Sequence, residues 1–374
     1  MKSADLTSFY QLHHSTCGSL SWRRQASRRM KNALHILSFL RDAIREGRRG
    51  VLVTLTDVVG SSARSPGTHM AVADEGSSVA SFSGGCVEAA VIGEALAALT
   101  SGSPRRVRFG TGSPYIDIRL PCGGGMDLLF TPDPPPAAIE MAVSMLEGRL
   151  GLSLELGLRG TLAVEAVRKQ GWHGDVFTAT HDPDLQVLIL GQGAEVLSLA
   201  RQALAFTPAV RVITPDKEVV AAMLIQGVAA ERLPSPSSRV DLRADADTAI
   251  VLLFHDHDWE TELLQQALGT TAFYIGAMGS RATHATRRAD LLDAGCTPRA
   301  VDRIVGPAGL IPASRDADTL AISILSQIVQ EHGKSRARAG RRPGSDAPPP
   351  HRTNYGDDGL ESQATVLVPG RSAA

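Results

Sequence analysis

Hydrophobic and polar positions follow two regimes along the chain. From residue 186 onward, apolar strands alternate with amphipathic helices: a strand is predicted over 187–190, a helix over 194–205, and a strand over 210–213. A helix over 217–226 and a strand over 250–254 follow. Such alternation implies a parallel sheet with helices on its faces. Earlier, "VLVTLTDVV" alternates as a half-buried strand, and "SGGCVEAAVIGEALAAL" puts Val87, Val91, Ile92, Leu96 and Leu99 on one helical face. Pro132, Pro134, Pro135 and Pro136 interrupt any helix or central strand, which sets a first domain boundary there. Residues 137–150 read as a short helix and 151–182 as weakly patterned strands. The expected fold is α/β. A small Gly-rich N-terminal α/β domain spans 31–133, a linker or extension 134–185, and a Rossmann-like doubly wound domain 186–332. Residues 1–30 and 333–374 read as disordered tails, the latter with Lys334, Arg336, Arg338, Arg341 and Arg342 as a solvated basic cluster.

Composition narrows the function classes. With 38 Lys plus Arg against 39 Asp plus Glu among 374 residues, the net charge of −1 offers no field for nucleic acid or anionic lipid. No apolar run approaches the roughly 18 residues of a membrane span, and no signal-peptide pattern opens the chain, so the expected location is the cytoplasm. Cys17, Cys86, Cys122 and Cys296 form no C-x-x-C pair, which argues against a disulfide scaffold or a local zinc site.

Candidate chemistry gathers at glycine-rich turns. In "VLILGQGAEV", Gly191 and Gly193 follow an apolar strand and open a helix, as a phosphate-binding turn requires. Val196 stands at the third glycine position, and Thr214 ends the strand that would present an acid to a ribose, so a Rossmann-like fold without a dinucleotide is the equal alternative. His255-Asp256-His257-Asp258 falls at the carboxyl end of a strand. Two histidines one residue apart point to opposite sides of an extended chain, and Asp258 can cap a helix over 259–268. In "FYIGAMGSR", Gly276 and Gly279 suggest close backbone approach, and Ser280 and Arg281 open a helix where Arg281 can meet a phosphate. In the first domain, residues 60–67 form a Gly/Ser loop carrying Ser61, Ser62 and Arg64, an anion cradle or a plain turn. Gly84 and Gly85 lead Cys86 into the first turn of a helix, where unpaired N–H groups favour a thiolate; Glu88 can close a capping box there. Cys122 precedes Gly123, Gly124 and Gly125 in a matching setting. Each cysteine taken alone is as readily a buried structural residue.

Taken in order, "GSSARSPGTHM", "SGGCVE", "PCGGG", "YIGAMGSR" and "GPAGLIPASRDADTLAISILSQIV" resemble the XdhC/CoxI family of molybdenum-hydroxylase maturation factors, over roughly residues 31–332. The resemblance implies a two-domain chaperone without turnover of its own. Such a chaperone binds the molybdenum cofactor in its molybdopterin form, protects it during sulfuration by a cysteine desulfurase, and delivers it to an apo molybdenum hydroxylase such as xanthine dehydrogenase. It also implies transient molybdenum ligation by Cys86 or Cys122, with Arg64 and the glycine N–H groups holding the pterin. Ser280 and Arg281 would take a phosphate or nucleotide tail. Where members usually carry Gly-Ala-Gly-His and an Asp-Pro-Arg-like segment, this chain has Gly191-Gln192-Gly193-Ala194 and Thr214-Pro215-Asp216, so NAD(P) binding is the weaker expectation. The alternatives are an NAD(P)-dependent oxidoreductase and a non-catalytic scaffold between desulfurase and client; whether the chain is a homo-oligomer stays open.

Overall fold

A computed structural model describes residues 32–60, 62, 64–83, 85, 87–113, 123–159 and 162–339. Helix α1 (Ala33–Arg45) is capped by Asn32, whose side chain accepts from the His35 N–H, and buries Ile36, Leu37, Leu40 and Ala43. Next come β1 (Gly50–Val59), β2 (His69–Ala73), β3 (Ser78–Val79), α2 (Glu88–Ser101), β4 (Arg105–Gly110) and β5 (Gly125–Pro132). These strands form one antiparallel sheet in the order β3-β2-β1-β5-β4. The half-buried reading of β1 is corrected, because residues 50–56 are buried on both sides. Val51, Val53 and Leu55 pack with α2, while Leu52 faces a second layer containing α1.

That second layer is built from the stretch after the prolines. Pro136 opens α3 (Pro136–Glu147), as proline tolerates a first-turn position that needs no N–H. A four-stranded antiparallel sheet follows, ordered β7-β6-β9-β8: β6 (Leu152–Gly157), β7 (Leu162–Glu165), β8 (Gly171–His173) and β9 (Val176–His181). Leu52 and Leu129 of the first sheet, Ile36 of α1, Ile139 of α3 and Leu154 and Phe177 of the second sheet share one core. The prolines therefore turn the chain inside a continuous hydrophobic unit.

The remaining strands are β10 (Gln186–Gly191), β11 (Val210–Thr214), β12 (Ala229–Arg232), β13 (Thr248–Leu253), β14 (Tyr274–Ala277) and β15 (Ile304–Val305). They make a parallel sheet in the order β12-β11-β10-β13-β14-β15, the doubly wound arrangement in which strand order reverses beside the first strand. Continuous Val, Ile and Leu suit these strands because helices cover both faces. One face carries α4 (Gly193–Phe206), α5 (Lys217–Ile225) and α9 (Ala317–Ala339); the other carries α6 (Glu260–Leu268), α7 (Arg281–Asp293) and the short α8 (Pro298–Val301). The α/β expectation with a Rossmann domain in the C-terminal region holds.

The tail expected from residue 333 is corrected over residues 333–339, which continue α9. Arg336, partly buried, pairs with Asp247, at 2.7 Å, and with Asp182. His332 meets the same Asp247 at 3.1 Å, and burial lowers the Arg336 pKa. Arg149 forks onto Asp245 at 2.7 and 3.1 Å, adding another link between the first unit and the Rossmann unit. Arg341 and Arg342 lie outside the described residues, as do residues 1–31. Among the described residues, no helix is long and apolar enough to cross a membrane.

Candidate functional site

At one end of the first sheet, three glycine-bearing segments meet. A register shift between Leu55 and Asp57 marks a bulge that turns the end of β1 out of the sheet. Gly60 then lies against Gly124, where a Cβ on Gly60 would be in ordinary van der Waals contact with the Gly124 Cα, at 3.4 Å. Thr111 donates from its N–H to the Gly124 carbonyl at 3.0 Å and from Oγ1 to the Gly123 carbonyl at 2.8 Å. Arg64 donates from Nε to the Ser81 carbonyl at 3.2 Å, and its N–H meets Ser62 Oγ at 3.1 Å. The fold thus joins Ser62 and Arg64 to the segment leading through Gly85 into α2, and sets Gly123 and Gly124 beside Gly60. Gly85 and Gly123 are exposed, and among the described residues nothing lies within 4 Å of where a side chain would project. Ser61, Gly84, Cys86 and Cys122 lie outside the described residues.

Helix α2 starts at Glu88, with Val87 at the cap position, and the expectation for Cys86 lies outside the described residues. The Glu88 carboxylate accepts from the N–H and hydroxyl of Ser83 and from the Val87 N–H at 2.9–3.1 Å. Burial would raise its pKa, but hydrogen bonds from Ser83 and Ser81 hold it at about 2.

Two supports of this rim escaped the sequence reading. Asp127 on β5 accepts a two-pronged bond from Arg108 at 2.6 and 2.8 Å and a third bond from Arg106 at 2.5 Å. Arg108 and Arg106 hold the nearly buried carboxyl below its usual range, against burial. The signal available was arginine at alternate positions of β4, which share one face. The second support joins the two antiparallel sheets. His69 Nδ1 meets Thr54 Oγ1 at 2.9 Å, and its Nε2 meets His181 Nε2 at 2.8 Å. Desolvation lowers both imidazoles, His181 to about 4, and His69 also faces the His181 charge. Above them Gln170 donates to the Pro66 carbonyl at 2.8 Å and packs on Gly67, so the second sheet holds down the loop carrying Arg64. Residues 112 apart in sequence offer no local pattern for such a contact.

A separate cavity of about 850 Å³ opens at the carboxyl ends of β10, β13, β14 and β15, the ligand position of doubly wound sheets. Gly279, Ser280, Arg281, His255 and His257 all line it, as do Glu195 and Arg315. The expectation that His255 and His257 diverge is corrected: the extended strand ends at Leu253, and a 3₁₀ turn over His257–Trp259 swings both to one cavity. Asp256 rather than Asp258 caps this turn, accepting from the Asp258 N–H at 3.0 Å. Ser280 is engaged as the α7 cap, accepting from the Thr283 N–H at 3.0 Å, whereas Arg281 is exposed. Gly191 has a packing cause, because a Cβ there would stand 2.4 Å from the Leu253 carbonyl oxygen. Gly193, with φ of +77°, opens α4 under the Glu195 carboxylate, 3.4 Å from its Cβ position. The wall opposite the histidines, residues 307–316, is pinned to α9, where Gln327 accepts from the Gly309 N–H and Ser323 from the Ile311 N–H, each at 2.7 Å. Among the described residues, no group of three or more His, Cys, Asp or Glu could hold a metal ion.

Comparison with known proteins gives two family matches: the XdhC and CoxI family over residues 43–110 and the XdhC Rossmann domain over residues 187–328. The molybdenum cofactor insertion chaperone PaoD of Escherichia coli (strain K12) is 34% identical over 295 residues, covering 78% of this chain and 86% of that protein. The crystal structure of a xanthine dehydrogenase from Bacillus halodurans superposes with a TM-score of 0.64 at 20% identity, over 83% of this chain and 98% of that one.

Proposed function

The chain belongs to the XdhC and CoxI family, and from that premise we propose that it is a chaperone of the molybdenum cofactor in the maturation of a molybdenum enzyme. The observation that carries this reading is the meeting of Ser62 and Arg64 with Ser81 on one side and of Gly60 with Gly124 on the other. In sequence, Ser81 precedes Cys86 of the Ser-Gly-Gly-Cys motif and Gly124 follows Cys122 of the Pro-Cys-Gly-Gly motif. A dithiolene-bound molybdenum calls for a soft thiolate, and its oxo and phosphate oxygens call for N–H donors and one fixed cation. Cys86 and Cys122 are the thiolates of this reading, Arg64 the cation, and the glycine amides the donors. Holding is transient, because a carrier must release its cargo to a client.

In the finer reading, the cofactor is held in its molybdopterin form while a cysteine desulfurase sulfurates it. It then passes to an apo molybdenum hydroxylase of the xanthine dehydrogenase kind, in the cytoplasm. Ser280 and Arg281 receive a phosphate-bearing group in the second unit, Arg281 by its side chain and Ser280 by ordering the α7 amino end. A second reading, NAD(P) binding by the Rossmann unit for an oxidoreductase reaction, draws on Gly191 and Gly193 but meets the Glu195 carboxylate above that turn.

The test is to purify the chain from a host that makes molybdenum cofactor and to measure molybdenum and oxidised-pterin fluorescence. Near-stoichiometric amounts of both, lost in the Cys86→Ala/Cys122→Ala double variant, are expected. Absence of both from the unaltered protein overturns the carrier reading.

A further inference from the structure

The cavity of the Rossmann unit contains an unusual division of charge. In dinucleotide-binding domains the pyrophosphate sits over the glycine turn at the amino end of the first helix, where N–H groups and the helix dipole favour an anion. Here Glu195 occupies that place. One carboxylate oxygen lies 3.4 Å from the Cβ position of Gly193, and the other 3.4 Å from His255 Nε2. A resident carboxylate repels a pyrophosphate and accepts hydroxyl or amine donors instead.

Guanidinium and imidazole groups lie elsewhere on the same cavity. Arg281 stands at the amino end of α7, Arg315 lines the wall formed by residues 307–316, and His257 lines the rim after β13. His257 is held in place from behind. Its Nδ1 lies 2.9 Å from Glu260 Oε2, and Glu260 is bound through both oxygens by Arg287 at 3.0 and 2.9 Å. Glu260 and Arg287 are 2% and 4% exposed, and Arg287 also donates to the Met278 carbonyl at 2.7 Å, tying the pair to the segment that leads to Gly279. With Nδ1 committed to Glu260, His257 has Nε2 left for a ligand. Glu260 and Arg287 are thus positioning residues.

We propose that this cavity binds a phosphomonoester up to the size of a mononucleotide, and that Glu195 excludes dinucleotides from it. The phosphate lies with Arg281 and His257 at the α7 end, Arg315 stands on the wall of the same cavity, and the hydroxyl-bearing part points toward Glu195. This rests on reading the α7 end as a phosphate site and is independent of what the first unit carries.

The experiment is calorimetric titration of the full chain, prepared from a host lacking molybdenum cofactor, with AMP, adenosine and NAD⁺. AMP is expected to bind at least tenfold more tightly than either of the others. Arg281→Ala should weaken AMP at least tenfold and His257→Gln severalfold. Glu195→Gln should raise NAD⁺ affinity at least tenfold and so narrow the gap between NAD⁺ and AMP. Arg281 and His257 are exposed and Glu195→Gln is isosteric, and a thermal melt of each variant confirms its fold. NAD⁺ binding as tight as AMP, adenosine matching AMP, no AMP binding, or indifference of AMP to Arg281→Ala would each overturn the proposal. Failure of the carrier reading is registered separately, in molybdenum and pterin content.

Discussion

The two units both end their sheets in glycine-rich turns, yet they treat charge at those turns in opposite ways. Around the first sheet, the described rim is made of amides, hydroxyls and Arg64, and the stronger charges are tied up beneath it, in the Asp127 pairs with Arg106 and Arg108. Around the parallel sheet, charged side chains line the cavity itself, with Glu195 against His255 and Arg281 on the same lining. Their histidines differ in the same sense. His69 and His181 share a buried contact with each other, whereas His255 and His257 each face a carboxylate. An amide rim suits a cargo whose charge is spread over many oxygens, and a rim of separated charges selects by size and sign.

The contrast is tested most severely at the Glu260–Arg287 pair. Glu260→Ala leaves a buried guanidinium without its counter-charge, so a loss of about 3–5 kcal/mol is expected, read as a lower denaturant midpoint. Trp259, stacked on Phe254 in the same unit, is the fluorescence reporter. A change below about 1 kcal/mol would show that the pair is not a structural anchor.

Acid should strike the first unit next. His181 is depressed from 6.5 to about 4 and His69 is lowered too, so the unfolded chain takes up protons that the folded pair refuses. Their contribution is full above pH 6.5 and drains away as pH falls toward 4, on the order of 3 kcal/mol for His181. Melting temperatures measured from pH 8 to pH 4.5 should fall over that window. The His69→Gln/His181→Gln variant should flatten the slope, and an unchanged slope would reject the assignment.

Asp127→Asn should cost about 2 kcal/mol by weakening charge-assisted bonds to Arg106 and Arg108. Because the folded carboxyl lies below its usual range, that stability is present above about pH 4 and lost at lower pH. The same denaturation curves measure it, and a variant as stable as the unaltered chain at pH 7 counts against the support role. Glu88→Ala removes the acceptor of Ser83 and Val87 and should cost about 1 kcal/mol. Hydrogen exchange should then rise at Val87 and Ser83 while the sheet interior stays protected; uniform protection would assign the bonds no role in ordering the segment.

Legibility in the sequence followed the range of the interactions. Strands β10, β11 and β13 and helices α4 and α5 were readable to within two residues, since continuous apolar runs and helical spacing are local signals. The glycine turns were visible too, as were Arg64 and Arg281. The partnership of Glu260 with Arg287, 27 residues apart, left no such trace. Nor did Glu195 on the Gly193 turn, although it stands only two residues from that glycine, because its carboxylate meets His255, which follows another strand. Sheet β6–β9 looked weakly patterned because it completes a core begun before residue 60.

By itself, then, the sequence determined the order of elements, the parallel sheet of the second unit, the family motifs and the glycine turns, all of which rest on residue type and short spacing. Only the tertiary structure decided that residues 136–181 belong to the first core. It also decided that His255 and His257 face one cavity and that Arg336 is docked rather than solvated. It brought Gly60, Arg64, Ser81 and Gly124 to one rim. Those outcomes depend on which distant surfaces exclude water together, and chain connectivity encodes that only through the finished packing.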